Sequence, residues 1–433
     1  MDQEYTINEQ EQERRRMIRL ELKRKQKRNQ RILLAAAAVI LVLIIVLIAK
    51  GCSKKQDEVK TEDDKIQASD TLQQEVKDLT ATLVAVGDIM CYEDQIKAAQ
   101  KENGGHNFKD SFASVKPLLE GADLTLGNLE LNFCGKEQGY SGYPKFNAPE
   151  ALAEALADAG FDLMQTANTY SIQNGISGLN STIRYLTEQN IGHVGTYHVK
   201  QDKDEDQGIV MKDLNGIKFA FFGYTKGLNN MSLPADASYA ADVLYEDYST
   251  YYSKVNKDAL LASIQAAKDQ KADVIVAMLH WGNEYEIEPL ATQNEIADLL
   301  FQNGVDVILG THSHEVGPME MRTVTVDGEE KQVFIAYSLG NFFSSMSTKS
   351  AKTSAVLNME FTMDGETGKV EITKAEYTPV YIADHGEEAP TRFEILPVRD
   401  ALADSSLEHL EETLAGAIST LQKNAGADFD SGK

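Results

Sequence analysis

Five short apolar runs in this sequence each end in residues that bind metal ions or move protons. L-V-A-V stops at Gly87-Asp88, D-L-T-L at Gly127-Asn128-Leu129-Glu130, and D-L-M-Q-T at Ala167-Asn168. V-I-V-A-M-L stops at His280-Trp281-Gly282-Asn283-Glu284-Tyr285, and V-D-V-I-L at Gly310-Thr311-His312-Ser313-His314. In open α/β sheets ligands bind at the carboxyl ends of strands, so polar residues there fall where chemistry is done. One at a time the signals are bland. Asp88 can cap a helix, His280 can be a packed histidine, Glu130 and Glu284 can be surface acids, and Asn168 can hold a turn. The pair His312-x-His314 is more specific, because one intervening residue lets both imidazoles leave an extended segment on the same side. Three of the eight histidines lie at these ends. Glycines just ahead of Asp88, Asn128 and His312 permit tight turns or close backbone approach. Asp, Glu, Asn and His together suit a divalent ion such as Mn²⁺, Fe²⁺ or Zn²⁺. The coincidence over five runs outweighs the bland reading of any one.

Such runs need strands to carry them and helices to cover them. Patterns rich in Val, Ile and Phe predict strands over 82–86, 123–126, 162–166, 218–223, 273–279 and 305–309. Helical stretches are predicted over 149–159, 179–189, 257–269 and 289–302. That alternation is the signature of an α/β domain with parallel or mixed strands. Beyond 318 strand follows strand, over 319–325, 332–338, 355–363 and 369–379, with turn signals at Asp327-Gly328 and Asp364-Gly365. Ser405-x-x-Glu408 reads as a capping box opening a last helix striped by Leu407, Leu410, Leu414, Ile418 and Leu421.

Ahead of this domain stands a different kind of sequence. Residues 32–49 run for 18 residues without a charge, about 27 Å as a helix, near the thickness of a bilayer's hydrocarbon core. The 31 preceding residues hold ten Lys/Arg and six Asp/Glu. Positive charge is retained on the cytoplasmic side, so the reading is an uncleaved single-pass anchor with its N-terminus inside and the large domain outside. The organisation expected is a basic arm (1–31), a transmembrane helix (32–49), an acidic and polar stalk (50–80), the α/β domain (81–385) and a C-terminal extension with an amphipathic helix (386–433). The chain of 433 residues carries a formal charge of −25. That acidity argues against nucleic acid as a partner, since phosphate binding needs clustered positive charge. Cys52, Cys91 and Cys134 make no disulfide framework and no thiolate cage; one Cys91–Cys134 bridge is allowed in an oxidising compartment.

V-G-D-I-M (86–90), G-N-L-E (127–130), H-W-G-N-E-Y (280–285), G-T-H-S-H-E-V-G-P (310–318) and Y-S-L-G-N-F-F (337–343) resemble, in order, the motifs of the CapA family of capsule and poly-γ-glutamate synthesis proteins. That resemblance implies a four-layer α/β/β/α sandwich related to the calcineurin-like metallophosphatases, with a two-metal site. It implies Asp88, Glu130, His280, His312 and His314 as metal positions, with Glu284 and Asn341 as supporting polar groups. His280, Glu284 and Asn168 are the candidate catalytic residues. One motif departs. Where the family reads A-N-N-H-x-x-D-x-G, this chain has Ala167-Asn168-Thr169-Tyr170-Ser171-Ile172-Gln173-Asn174-Gly175. Thr169 replaces an amide able to ligate metal, Tyr170 an imidazole, and Gln173 the acid that could orient it. A phenol with pKa near 10 is a poor proton donor at neutral pH.

Two functions follow as expectations. The first is a membrane-anchored accessory protein of capsule or poly-γ-glutamate synthesis or export, whose partners are the membrane and an anionic extracellular polymer or the subunits that make it. The second is a metal-dependent phosphoesterase, or a hydrolase of the polymer itself. No G-x-x-x-x-G-K-[ST] loop is present, which argues against a stand-alone ATP-driven ligase.

Overall fold

Successive residues of the first strand enter different hydrophobic cores. In β1 (Leu79–Ile89), Ala81, Leu83 and Ala85 pack into one core while Val84 and Val86 pack into another. Side chains alternate across a strand, so an unbroken apolar run marks a sheet covered on both faces. The computed structural model describes residues 77–432 apart from residue 103. The basic arm, the apolar run 32–49 and the stalk up to 76 lie outside the described residues, and β1 begins two residues before the boundary read from the sequence. Among the described residues no helix is long and apolar enough to cross a membrane.

The remaining strands are β2 (Leu124–Leu129), β3 (Leu163–Gln165), β4 (Gly192–Val194), β5 (Val210–Leu214), β6 (Ile217–Thr225), β7 (Val274–His280) and β8 (Val307–Thr311). They continue as β9 (Met319–Val326), β10 (Glu329–Ala336), β11 (Asn341–Phe343), β12 (Thr353–Met363), β13 (Val370–Asp384) and β14 (Phe393–Pro397). One sheet has the order β14-β13-β12-β1-β2-β3-β4, with β11 parallel to the end of β1. The other has the order β5-β6-β7-β8-β10-β9. In the first, parallel strands β1 to β4 run to one edge and antiparallel β12 to β14 complete the other side; in the second, a parallel centre is flanked by antiparallel β5 and β9.

The sheets face each other across a core that takes Leu83 and Leu126 from one and Phe219, Val276 and Leu309 from the other. Outside the first sheet pack α1 (Ala151–Asp158), through Leu152 and Leu156, and α2 (Gly175–Glu188), through Leu186. Outside the second pack α3 (Lys257–Asp269), through Leu260 and Ile264, and α4 (Ala291–Gln302), through Ile296 and Leu300. This is a four-layer α/β/β/α sandwich, the architecture the motifs imply.

The C-terminal segment joins the first sheet. Its strand β14 pairs antiparallel with β13, and the last helix, α5 (Glu411–Leu421), buries Leu414 and Ala417 beside that edge. The expected capping box at Ser405 does not form. Asp404 accepts the Ser406 N–H at 2.8 Å and opens a short 3-10 turn (Ser405–Leu410), so the α-helix starts only at Glu411. The Asp404 carboxylate, one residue earlier, takes the exposed Ser406 N–H. Cys91 and Cys134 are free thiols, so the one bridge allowed between them is not made.

Candidate metal centre

The parallel strands of both sheets direct their carboxyl ends to one rim, and strand register sets which side chains meet there. Asp88 on β1 stands opposite Asn128 on β2 and Asn341 on β11. His280 on β7 stands opposite Thr225 on β6 and Thr311 on β8. Two glycines allow the backbones to close in. Asp88 N–H donates to the Gly340 carbonyl at 2.9 Å, and a Cβ on Gly87 would lie 1.8 Å from that oxygen. A Cβ on Gly310 would lie 2.0 Å from the Tyr337 carbonyl oxygen. The pairing of β1 shifts register at Asp88 on both sides, and such irregularities re-aim side chains. The turns after β7 and β8 hold left-handed non-glycine residues: Tyr285 (φ 63°), His312 (φ 100°) and His314 (φ 61°). Strain of this kind persists only where the surroundings impose it; here Tyr285 N–H donates to the Ser313 carbonyl at 2.8 Å, tying the turns together.

Asp88, Glu130, His280, His312 and His314 are all buried, and they form two donor groups. Glu130, His280 and His312 make one; Asp88, Glu130 and His314 make the other; within each, the donor atoms lie within 4.8 Å of one another. Glu130 belongs to both. Its Oε1 lies 3.4 Å from His280 Nε2, while its Oε2 has no hydrogen-bond partner among the described residues. A buried carboxylate oxygen left unpaired is costly. Burial holds the Glu130 carboxyl above the ordinary range, with His280 opposing and the Asp88 charge reinforcing that rise. An orphaned oxygen among carboxylates and imidazoles is what a divalent cation would satisfy, so the residues present fit a metal.

The other donors are oriented by neutral amides and hydroxyls. Asn168 Nδ2 donates to Asn128 Oδ1 at 3.1 Å and to the Leu129 carbonyl at 2.7 Å; Asn128 Nδ2 donates to Asp88 Oδ1 at 2.7 Å and lies 3.3 Å from His280 Nδ1. Asn341 Oδ1 lies 2.9 Å from His314 Nδ1, while Asn341 Nδ2 donates to Ser344 Oγ at 3.1 Å. That arrangement keeps a proton on His314 Nδ1 and makes Nε2 the nitrogen a metal would take, by displacing its proton. Burial pushes Asp88 up, but the His314 hydrogen bond and charge, the His280 charge and the Asn128 amide outweigh it, and its carboxyl is held low. Burial pushes His314 down, and Asp88 and Glu130 more than reverse this, to about 9. Burial drives His312 well down, helped by His280, His314 and Lys226, which keeps it the neutral imidazole a metal requires.

The structure brings all five proposed ligands together. Asn168 makes no hydrogen bond to the donors among the described residues and reaches them through Asn128. Glu284 is exposed on the turn after β7, outside both donor groups. In the departing motif, Thr169 Oγ1 lies 2.9 Å from His280 Nε2 and 3.5 Å from His312 Nδ1. Tyr170 instead packs edge-on against Phe146 at 4.7 Å, burial pushing its phenol up, and Gln173 accepts from Asn229 Nδ2 at 2.9 Å. The sequence reading passed over Asn128, Thr311, whose Oγ1 lies 3.0 Å from His280 Nδ1, and Lys226. Asn128 and Thr311 sat within quoted motifs, masked by the acid and imidazole beside them. The strand predicted over 218–223 stopped short of Lys226.

Fold and donors together define a four-layer α/β protein with a carboxylate–imidazole centre at the shared rim of its sheets. The chain belongs to the bacterial capsule synthesis protein family PGA_cap, whose profile matches residues 82–346, a span that holds every donor. It is 28% identical over 291 residues to the capsule biosynthesis protein CapA of Bacillus anthracis, covering 66% of this chain and 64% of that one. It is 26% identical over 291 residues to the PGA biosynthesis protein CapA of Bacillus subtilis (strain 168), covering 66% and 69%. The aligned part is thus just under two thirds of the anthracis protein's length. The solved structure of the sulfate thiohydrolase SoxB of Thermus thermophilus, in complex with glycerol, aligns with a TM-score of 0.38 at 14% identity over 79% of this chain and 61% of that one.

Proposed function

We propose that this chain is a membrane-anchored, outward-facing protein of capsule or poly-γ-glutamate synthesis that holds divalent metal at the rim of its metallophosphatase-like sandwich. Family membership supports the pathway class. The uncharged run 32–49 behind a basic arm supports the anchor and its direction. The observation that carries the metal is Glu130, buried, shared by both donor groups and unpaired at Oε2. Its partners would be subunits that make or export the anionic polymer.

When bound, a divalent ion supplies Lewis acidity and lowers the pKa of a water. The chain's own part is to hold the two carboxylates and three imidazoles, with His280 and His314 fixed through Nδ1. Metal analysis of the detergent-purified full chain, after exposure to Mn²⁺, Fe²⁺ or Zn²⁺, tests this. Retained metal, lost in His312→Ala, is expected; a chain that retains none and does not melt higher with added Mn²⁺ would refute it. Protease added outside intact protoplasts tests the orientation: the α/β domain is expected to be cut, and complete protection reverses the topology.

A second reading, a metal-dependent phosphoesterase, is favoured by the paired donor groups, a layout that suits clamping of phosphoryl oxygens. Against it, the 167–175 segment offers the site a hydroxyl, and Tyr170, its ring packed on Phe146, is a phenol where the motif would place an imidazole. Turnover of bis-p-nitrophenyl phosphate with Mn²⁺ decides between them. A Thr169→Asn/Tyr170→His double variant that gains turnover over an inactive parent places the loss in that segment alone.

A further inference from the structure

One strand end at this rim carries a cation instead of a metal donor. Thr225 of β6 is in register with His280, and the next residue, Lys226, donates its main-chain N–H to the His280 carbonyl at 2.7 Å. The root of the lysine is thereby fixed one step from the imidazole. Its half-buried side chain crosses the end of β7, where Nζ donates to the Gly282 carbonyl at 2.5 Å and to Asn283 Oδ1 at 2.8 Å. Both acceptors are neutral. Two other half-buried lysines are paired with buried carboxylates, Lys203 with Asp242 and Lys331 with Asp306. Among the described residues no carboxylate lies within 4.0 Å of Lys226 Nζ. Glu284 and Glu286 act on it only at longer range. An ammonium held by neutral groups, in a setting where water screens poorly, keeps its charge available to an incoming anion.

The imidazole of His280, the residue whose carbonyl takes the Lys226 main-chain N–H, stands 4.5 Å from that of His312, ring centre to ring centre. A ligand oxygen accepting from Nζ would sit at the end of β7, the strand that closes on His280. We propose that Lys226 is the anion-binding residue of this site, taking an anionic oxygen of the ligand, phosphoryl or carboxylate, and setting that group against the His280–His312 pair. The proposal deepens the reading of the rim as a metal-holding site by giving it the charge of its ligand.

The competing role is a pin between β6 and the turn after β7. Lys226→Gln can keep a donor toward Gly282 and Asn283 but loses the charge; Lys226→Arg keeps the charge. Calorimetric titration of the full chain with inorganic phosphate and, separately, with glutarate tells a phosphoryl from a carboxylate preference. Melting point and metal content are read on the same samples. We expect Lys226→Gln to weaken binding of the preferred anion about tenfold and to flatten its salt dependence. The melting point and metal content should hold, and Lys226→Arg should bind within about threefold of the parent. Equal binding by Lys226→Gln and the parent overturns the proposal. So does a parent that binds neither anion, or a loss of binding that only follows a fall in melting point. Lys226-dependent binding by a chain that retains no metal sinks the metal reading and leaves this one standing; retained metal with charge-independent binding does the reverse.

Discussion

Two regions border the same rim and are built on different terms: the strand ends that carry Asp88, Glu130, His280, His312 and His314, and the segment 167–175. At the strand ends the donors are buried and face one another, and register partners such as Asn128, Thr311 and Asn341 hold them. In the segment, Asn168 braces Asn128 and Thr169 reaches the imidazoles, but Tyr170 packs on Phe146 and Gln173 bonds Asn229 at the surface. Asp88 and His280 sit in the ladder itself, and Glu130, His312 and His314 follow directly on the ends of β2 and β8, so re-aiming these donors disturbs the sheet. Side chains of a connecting segment can exchange an aim into the site for ordinary packing, and the fold is indifferent to the exchange.

The contrast is tested most severely by two glycines. A Cβ on Gly87 would meet the Gly340 carbonyl oxygen at 1.8 Å, and only movement of backbone relieves it. Gly175, which ends the segment, has a φ of 72°, but a Cβ added there would meet nothing nearer than Ser177 Oγ at 3.9 Å. Gly87→Ala is expected to cost more than about 4 kcal/mol and to abolish metal binding. Gly175→Ala should cost about 1–2 kcal/mol for the left-handed backbone alone and leave metal content intact. Urea melts with metal analysis check both; equal costs would erase the distinction between the regions.

Glu130→Gln sharpens it from the donor side, with effects of opposite sign. Metal retention should collapse, because both groups lose their common carboxylate. The metal-free protein should be more stable by about 1–3 kcal/mol at neutral pH, since a buried unpaired charge is removed. The Glu130 carboxyl is held above its ordinary value, so folding takes up a proton and this carboxyl destabilises the fold increasingly as pH rises above its unfolded pKa, about 4.3. The gain from Gln should therefore shrink towards zero below that pH. A variant no more stable than its parent at pH 7 without metal would show that Oε2 already has a partner.

The sequence announced the strand-end region well and the rest unevenly. An apolar run covered on both faces followed by Asp, Glu or His is visible because composition changes abruptly where the sheet stops, and the ends of β1, β2, β7 and β8 all show it. Three-residue strands such as β4 and β11 give no period to detect; β11 matters only because its register with β1 sets Asn341 beside His314. Asn128 and Thr311 work through partners some 40 and 31 residues away, which local pattern cannot supply. In 167–175 the residue types showed that a donor set was missing. That Tyr170 packs on Phe146 is tertiary information.

Tyr170→Leu probes that packing. It keeps apolar volume and removes the edge-on ring contact, so about 0.5–1.5 kcal/mol of stability should be lost with metal content unchanged. Loss of metal in this variant would mean that the phenol helps hold the donors.

The smallest effect belongs to Gln173→Ala, and its smallness is the point. Gln173 Oε1 accepts one hydrogen bond, from Asn229 at the surface. Water can replace either partner there, so the net loss is that of an ordinary surface substitution, within about 0.5 kcal/mol. Among the described residues its side chain bonds Asn229 and none of the metal donors, so metal content and melting point should both match the parent. Were Gln173 instead to govern the donors through Tyr170, the alanine variant would lose metal while melting normally. Metal retention measured alongside a thermal melt separates the two, and an isolated loss of metal would return the segment to the site.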